Sequence, residues 1–153
     1  MRSADVPAMV ALAALVHPGL PEDAEVFAER LALHPDGCFA LDGPNGLAGY
    51  LLSHPWRLGA PPKLNRRLGA LPAAADTYYL HDLALHPAVQ RTGAARPILR
   101  AILARDEFPT QSLVAVNGSA PFWHGHGFSA APGPDLAEYG PDAVHMVRQA
   151  TGR

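Results

Sequence analysis

The stretch Thr77-Tyr78-Tyr79-Leu80-His81-Asp82-Leu83-Ala84-Leu85-His86-Pro87-Ala88-Val89-Gln90-Arg91-Thr92-Gly93-Ala94-Ala95-Arg96-Pro97-Ile98-Leu99 decides how this chain is read. Its aromatic and aliphatic opening predicts a strand over Thr77–Leu85 that stops at His86-Pro87. The polar turn from Gln90 to Ala95 then leads into a helix predicted over residues 94–105, with Ile98, Leu99, Ile102 and Leu103 on one side. A turn of this kind aims several backbone N–H groups at one point, where the helix dipole adds positive potential. Gly93 and its small neighbours allow an anion such as a phosphate to approach the backbone. Glycine in such a turn can also do no more than close the loop. No Lys-Ser/Thr follows the glycine and no G-x-G-x-x-G occurs, so nucleoside triphosphates and dinucleotides lose support and another phosphate-bearing cofactor is indicated.

Working outward, Leu113 to Val116 predicts the next strand, which completes a strand, turn, helix and strand crossover. A short helix over residues 119–125 has Pro121 in its first turn, and residues 143–148 predict a last strand. Upstream, Met9, Leu12, Ala13 and Val16 fall at helical spacing over residues 6–16, with Asp5 as the expected N-cap. His17-Pro18-Gly19 breaks that helix, and Pro21-Glu22-Asp23 opens a second with Phe27 and Leu31 on its apolar stripe. Cys38 to Leu41 and Leu47 to Leu52, joined by Asp42-Gly43-Pro44-Asn45-Gly46, predict an antiparallel hairpin. Residues 55–76 carry four prolines without periodicity, which predicts a lid or a solvated insertion. Trp56, Arg57, Lys63, Arg66 and Arg67 gather there, either to favour an acidic acceptor or cofactor phosphates or as a solvated face.

The chain has 153 residues, the length of one domain, and 1–153 is read as such. With 48% hydrophobic and 17% charged residues it can bury a core, which excludes wholesale disorder. Net charge is -2 and the basic residues are scattered, so no nucleic-acid partner is expected. The apolar run over residues 6–16 falls short of the ~20 needed to span a bilayer, and no membrane segment is expected. A single cysteine, Cys38, forms no internal disulfide and no thiolate cluster, which makes the cytoplasm the default compartment and a buried inert thiol the preferred reading. Of the eight histidines, His124 and His126 stand at i, i+2, which diverges on a helix, and no HExxH occurs; no metal is expected.

Leu83-Ala84-Leu85-His86-Pro87 followed by Gln90-x-x-Gly93-x-Ala95 resembles motif A of the GNAT superfamily of N-acetyltransferases, which holds the pyrophosphate of acetyl-CoA. Downstream, Leu113-Val114-Ala115-Val116-Asn117, Ala120, Phe122-Trp123 and Gly127-Phe128 look like the family's strand, asparagine, short helix and Gly-Phe sequence. The resemblance covers nearly the whole chain, although only Met1 to Ala4 remains for the family's first strand. It implies an α/β fold with a mixed, mostly antiparallel central sheet of about six strands, flanked by helices and splayed at the cofactor site.

Carried over residue by residue, Leu83 and Leu85 would bond the pantetheine and acetyl groups through their backbone, and Gln90, Arg91, Thr92, Gly93, Ala94 and Ala95 would cradle the phosphates. Asn117 joins this cofactor-binding set. The amide near Leu85 would act as an oxyanion donor, an interaction whose loss costs ~2.7–4 kcal/mol of transition-state stabilisation. His81 and Asp82 are candidates for the base; strand alternation points them to opposite sides unless a bulge re-aims one. Each has a bland alternative, a packed core histidine and a carboxylate bonded to the chain, and water can deprotonate the amine instead. Where the family often has an acidic tyrosine this chain has Trp123, so His124, His126 and the more distant Tyr139 are substitutes, and a thiol can also leave unaided. Arg91 replaces a common glycine and is strained if φ is positive there.

The resulting expectation is an enzyme that moves an acetyl group from acetyl-CoA to a primary amine of a small molecule or peptide by direct transfer in a ternary complex. The alternative of the same fold is a non-catalytic acyl-CoA-binding module. A different class, a phosphate-binding hydrolase or nucleotide binder, would use only the Gly93 turn. A homodimer is compatible with the sequence.

Overall fold

Strand β3 (Thr77–Leu85) lies inside the sheet, and what pairs with it places the rest of the chain. The computed structural model describes residues 1–152. Six strands lie in the order β1-β2-β3-β4-β6-β5, with β1 (Cys38–Gly43), β2 (Gly46–Trp56), β4 (Thr110–Ala115), β5 (Ser129–Ala130) and β6 (Val144–Gln149). Every pairing is antiparallel except β3 with β4, which are joined through the crossover helix α3 (Arg96–Leu103). This is the mixed, mostly antiparallel sheet flanked by helices that the sequence predicts.

Helices α1 (Val6–Val16) and α2 (Ala24–Leu33) cover one face. Met9, Leu12 and Ala13 of α1 and Phe27 of α2 bury there against Tyr50, Leu52 and Ala84. On the opposite face Leu99 and Ile102 of α3 pack with Leu51, Tyr78, Leu80, Leu113, Phe128 and Met146, joined by Trp123 of α4 (Ala120–His124). Burying one such side chain contributes ~1.5–3 kcal/mol, so both helical layers are clamped to the sheet. The C-terminal end of α3 is also fixed by polar contacts. The fully buried Gln111 amide donates to the carbonyls of Ile102 and Arg105, and Arg148 donates to Leu103 O and to the Gln111 oxygen.

Several boundaries differ from expectation. Met1 to Ala4 form no strand. Ser3–Asp5 make a single tight helical turn that runs directly into α1, and the sixth strand is instead the two-residue β5. Because the chain is already helical at Asp5, its carboxylate accepts from the Arg2 amide at 2.7 Å and does not cap α1. Helix α2 starts at Ala24, three residues beyond Pro21, and α3 starts at Arg96 because residues 90–95 stay in turns. Strand β2 runs on through Pro55 to Trp56. Its pairing with β1 ends at Leu52, so Pro55 stands where β2 has become an edge and no ladder needs its missing N–H.

Candidate functional site

Two departures from regular pairing create the site. First, β3 pairs with β4 only from Thr77 to Leu80, against Thr110 to Leu113; beyond that the two parallel strands part. Second, β2 partners step from Ser53↔Leu80 to Leu52↔Asp82, leaving His81 as an extra residue in a β-bulge. The parted strands enclose a cavity of about 510 Å³. Leu80 to Leu83 and Leu85 line its β3 wall, Leu113, Val114 and Val116 its β4 wall, and Ser119, Phe122 and Trp123 its α4 side.

The backbone of β3 is open on the cavity side. His86 donates its amide to Ala48 of β2, and with a period of two the amides of Leu83 and Leu85 turn the other way, into the gap. At one end of the cavity lie Gln90 and Arg91. The turn they begin uses its amides alternately: those of Gln90, Thr92, Ala94 and Arg96 bond to His86 O, Val89 O, Thr92 Oγ1 and Gly93 O. Among the described residues the amides of Arg91, Gly93 and Ala95 have no such partner. Arg91 adopts φ 62° and Gly93 φ 82°, left-handed backbone of the kind that lets neighbouring N–H groups converge on an anion. The Arg96 guanidinium folds over Gly93, where a Cβ would meet its Nε at 3.2 Å. The Gln90 side chain donates to Leu85 O at 2.9 Å and ties the turn back to β3.

The bulge changes what His81 and Asp82 can do. Both side chains face the α1/α2 side, and both line the cavity. His81 donates from Nε2 to Glu22 at 2.9 Å, with its buried Nδ1 unpartnered among the described residues. Asp82 accepts from Tyr50 OH at 2.5 Å and from His17 Nε2 at 3.0 Å. His17 Nδ1 in turn lies 3.1 Å from the Asn117 side-chain amide, so one imidazole spans the mouth between β3 and β4. Burial lowers the pKa of His17, but the Asp82 hydrogen bond and charge, with help from the Leu83 carbonyl and Glu22, outweigh it and leave the ring above its ordinary 6.5. Burial raises Asp82, yet its bonds to His17 and Tyr50 bring it below 3.8. With the ring protonated the two form an ion pair, their side chains only 15% and 14% exposed.

A second space of about 40 Å³ shares His17, His81, Asp82, Val114 and Val116 with the large cavity. Glu22, Leu64, Tyr79 and Tyr139 close it. Leu64 belongs to the proline-rich segment 57–76, which is held down by carboxylates: Leu64 N donates to Glu138, Asn65 N to Glu22, and Leu68 N and Gly69 N to Glu29. Tyr139 OH donates to Pro62 O, and burial raises its pKa. Lys63, Arg66 and Arg67 border a separate hollow beside Trp56 and line neither space.

The structure therefore brings together Leu83, Leu85, Gln90, Arg91, Asn117, His81 and Asp82, with Thr92 to Ala95 continuing the turn from one end. His124 is exposed and lines neither space. Sequence reasoning passed over His17 and Tyr50: His17 registered only as part of a chain break, and its partner Asp82 lies 65 residues away. Cys38 is buried against α2 carbonyls, and burial pushes its thiol up to about 11. Among the described residues no group of three or more His, Cys, Asp or Glu is arranged to hold a metal, and no helix is long and apolar enough to cross a membrane.

Neither the family models nor the curated proteins include a match to this sequence. Solved structures do match over nearly the whole chain. One is the GphF GNAT-like decarboxylase in complex with isobutyryl-CoA (17% identity, 98% of this chain and 97% of that one, TM-score 0.78). Another is the loading GNATL domain of CurA from Lyngbya majuscula (16%, 100% and 96%, TM-score 0.80). A third is the ribosomal-protein-S18-alanine N-acetyltransferase from Escherichia coli (17%, 100% and 92%, TM-score 0.66). The chain has the GNAT fold.

Proposed function

We propose, from the GNAT fold the chain adopts, that it binds acetyl-CoA in the gap between β3 and β4 and transfers the acetyl group directly to a primary amine of a small molecule or peptide. The observation that carries this reading is the pairing of an open β3 backbone at Leu83 and Leu85, on the cavity wall, with three unpartnered amides at Arg91, Gly93 and Ala95 in the turn that begins at one end of that cavity. The first pair suits a pantetheine arm and a thioester carbonyl. The second suits a pyrophosphate, with the Arg96 guanidinium beside it.

In the reaction the amine nitrogen attacks the thioester carbon and negative charge collects on its oxygen. A fixed amide of β3 stabilises that charge better than mobile water. The C–S bond then breaks, and the thiolate takes a proton from the nitrogen that attacked. No tyrosine is needed for that last step, which accommodates Trp123. The GphF structure and its isobutyryl-CoA support an acyl-CoA ligand on this fold, and the Escherichia coli enzyme supports amine acetylation on it.

A second reading is favoured by the small size of the space beyond His17 and Asp82, about 40 Å³ with Leu64 and Tyr139 across it. Decarboxylation of an α-carboxyacyl-CoA, a chemistry of the kind named for GphF, needs no second substrate and no broken C–S bond. The C–C bond breaks, CO2 departs, and the electron pair left on the α-carbon takes up a proton. One assay separates the readings: acetyl-CoA with an amine panel, and an α-carboxyacyl-CoA without amine, each followed by free-thiol release and mass spectrometry. Amine-dependent thiol and an acetylated amine support transfer. Loss of CO2 with the thioester intact supports decarboxylation. Acetyl-CoA that binds but is unchanged in every mixture supports a non-catalytic acyl-CoA module.

A further inference from the structure

Resting on the acetyl-transfer reading, we propose that His17, presented by the C-terminal end of α1, is the base that takes the proton from the acceptor amine, with Asp82 as its positioning residue. His17 lines both the large cavity and the small space beyond it, so it stands where donor and acceptor would meet. The chain delivers it there for a definite reason. Val6, Met9, Leu12 and Ala13 bury α1 against the sheet, and Pro18 turns the backbone of the preceding residue out of the helix, to φ -124° and ψ 58°.

The ring is oriented at both nitrogens. Nε2 donates to Asp82, whose second oxygen is occupied by Tyr50, so that carboxylate cannot turn away. Nδ1 is left as the atom that exchanges a proton. Its partner, the Asn117 amide, can satisfy either state: the NH2 group donates to a neutral ring, and the amide oxygen, after a flip, accepts from a protonated one. Asn117 is held at the strand end with φ 53°, a conformation asparagine tolerates. The other charged or titratable groups around the ring are Glu22, Tyr79 and Tyr139 across the small space, His81 and Tyr50 beside Asp82, and Arg91 at the end of the large cavity. Glu22 is already engaged by His81 and by Asn65 N, and Tyr139 by Pro62 O. His17 therefore has one charged partner, Asp82, and one convertible partner, Asn117, with the Leu83 carbonyl also favouring the protonated ring.

The proton balance closes. An ammonium group gives one proton to Nδ1, and the neutral amine attacks the carbonyl carbon. C–N forms, C–S breaks, the second nitrogen proton goes to the thiolate, and His17 returns its proton to water. The products are the N-acetylated amine, CoA thiol and one released proton.

The experiment is the pH dependence of kcat for wild type, His17→Gln and Asp82→Asn, with thermal unfolding in the presence of acetyl-CoA as the control for folding and binding. Glutamine can still donate to Asp82 but does not titrate. His17→Gln is expected to keep the acetyl-CoA-dependent rise in Tm and to lose ~10²–10⁴-fold in kcat together with the rising limb of the profile. Asp82→Asn is expected to lower kcat and to move that limb to lower pH, because the carboxylate no longer raises the ring's pKa. His17→Gln turnover within threefold of wild type with an unchanged limb overturns the proposal. If His17→Gln does not fold, a limb unmoved in Asp82→Asn overturns it alone. A wild type that neither binds nor turns over acetyl-CoA overturns the acetyl-transfer reading itself and takes this inference with it.

Discussion

His17 and Asp82 each hold the other in its charged form, and the stability of the protein should carry that mark. His17 is raised above 6.5 in the folded chain, so its share of the stabilisation is complete below that value and is lost as pH rises through the folded pKa. Asp82 is lowered below 3.8, so its share is complete above that value and is lost as pH falls through the folded pKa. The wild type should therefore exceed His17→Gln in stability most between about pH 4 and 6.5, by ~1.5–3 kcal/mol, the range for hydrogen bonds to charged groups. Chemical denaturation of both proteins across pH 4–9 measures this; a difference that does not shrink toward pH 9 contradicts the ion pair. Gly93 carries the second test at this scale. At φ 82° any side chain is strained, a Cβ presses on Arg96, and a carboxylate would stand where phosphates are expected. Gly93→Asp should fold with a loss of ~1–2 kcal/mol and show no acetyl-CoA-dependent rise in Tm. An unchanged rise would remove the turn from the binding site.

Among the elements, α3 matters most, since the turn proposed to bind the phosphates at its N-terminal end is only as steady as its docking. Gln111 and Arg148 hold its last carbonyls from inside the sheet. Gln111→Leu should cost ~1–3 kcal/mol by leaving the Arg105 carbonyl and one Arg148 contact unpaired, and calorimetry would register it as a lower Tm. Wild-type stability in this variant would mean that apolar packing alone fixes the helix. Most elements were legible before the structure because their signals are local: the apolar periodicity of α1 and α3, the turn at Gly43 to Gly46, the strand that ends at His86-Pro87. The bulge at His81 was open to expectation only through the family resemblance, because it is a mismatch between two strands and Leu80-His81-Asp82 contains no residue that announces it. That one extra residue turns His81 and Asp82 to the same face, where alternation alone separates them.

For the whole molecule, the order β1-β2-β3-β4-β6-β5 puts the single parallel pair in the interior, with helices packed on both faces, so the parted strands form a sheltered cavity in the sheet. The proposed cofactor half of the site could be named from sequence because a strand, a glycine turn and a helix follow one another in the chain. Of the proposed proton-handling half, Asp82 was named from sequence but its partner His17 was not. His17 meets Asp82 across 65 residues and Asn117 across 100, and only the folded chain brings α1, β3 and the end of β4 to one point. The central claim is that the gap between β3 and β4 is an acyl-CoA site. The most direct test is thermal unfolding with and without acetyl-CoA, with ATP and NAD as controls. At 100 times Kd a ligand of the native state adds ~2.7 kcal/mol, or roughly 5–10 °C in Tm for a domain of this size. A rise with acetyl-CoA alone is the predicted result; no rise at millimolar acetyl-CoA, or an equal rise with ATP, would contradict the assignment.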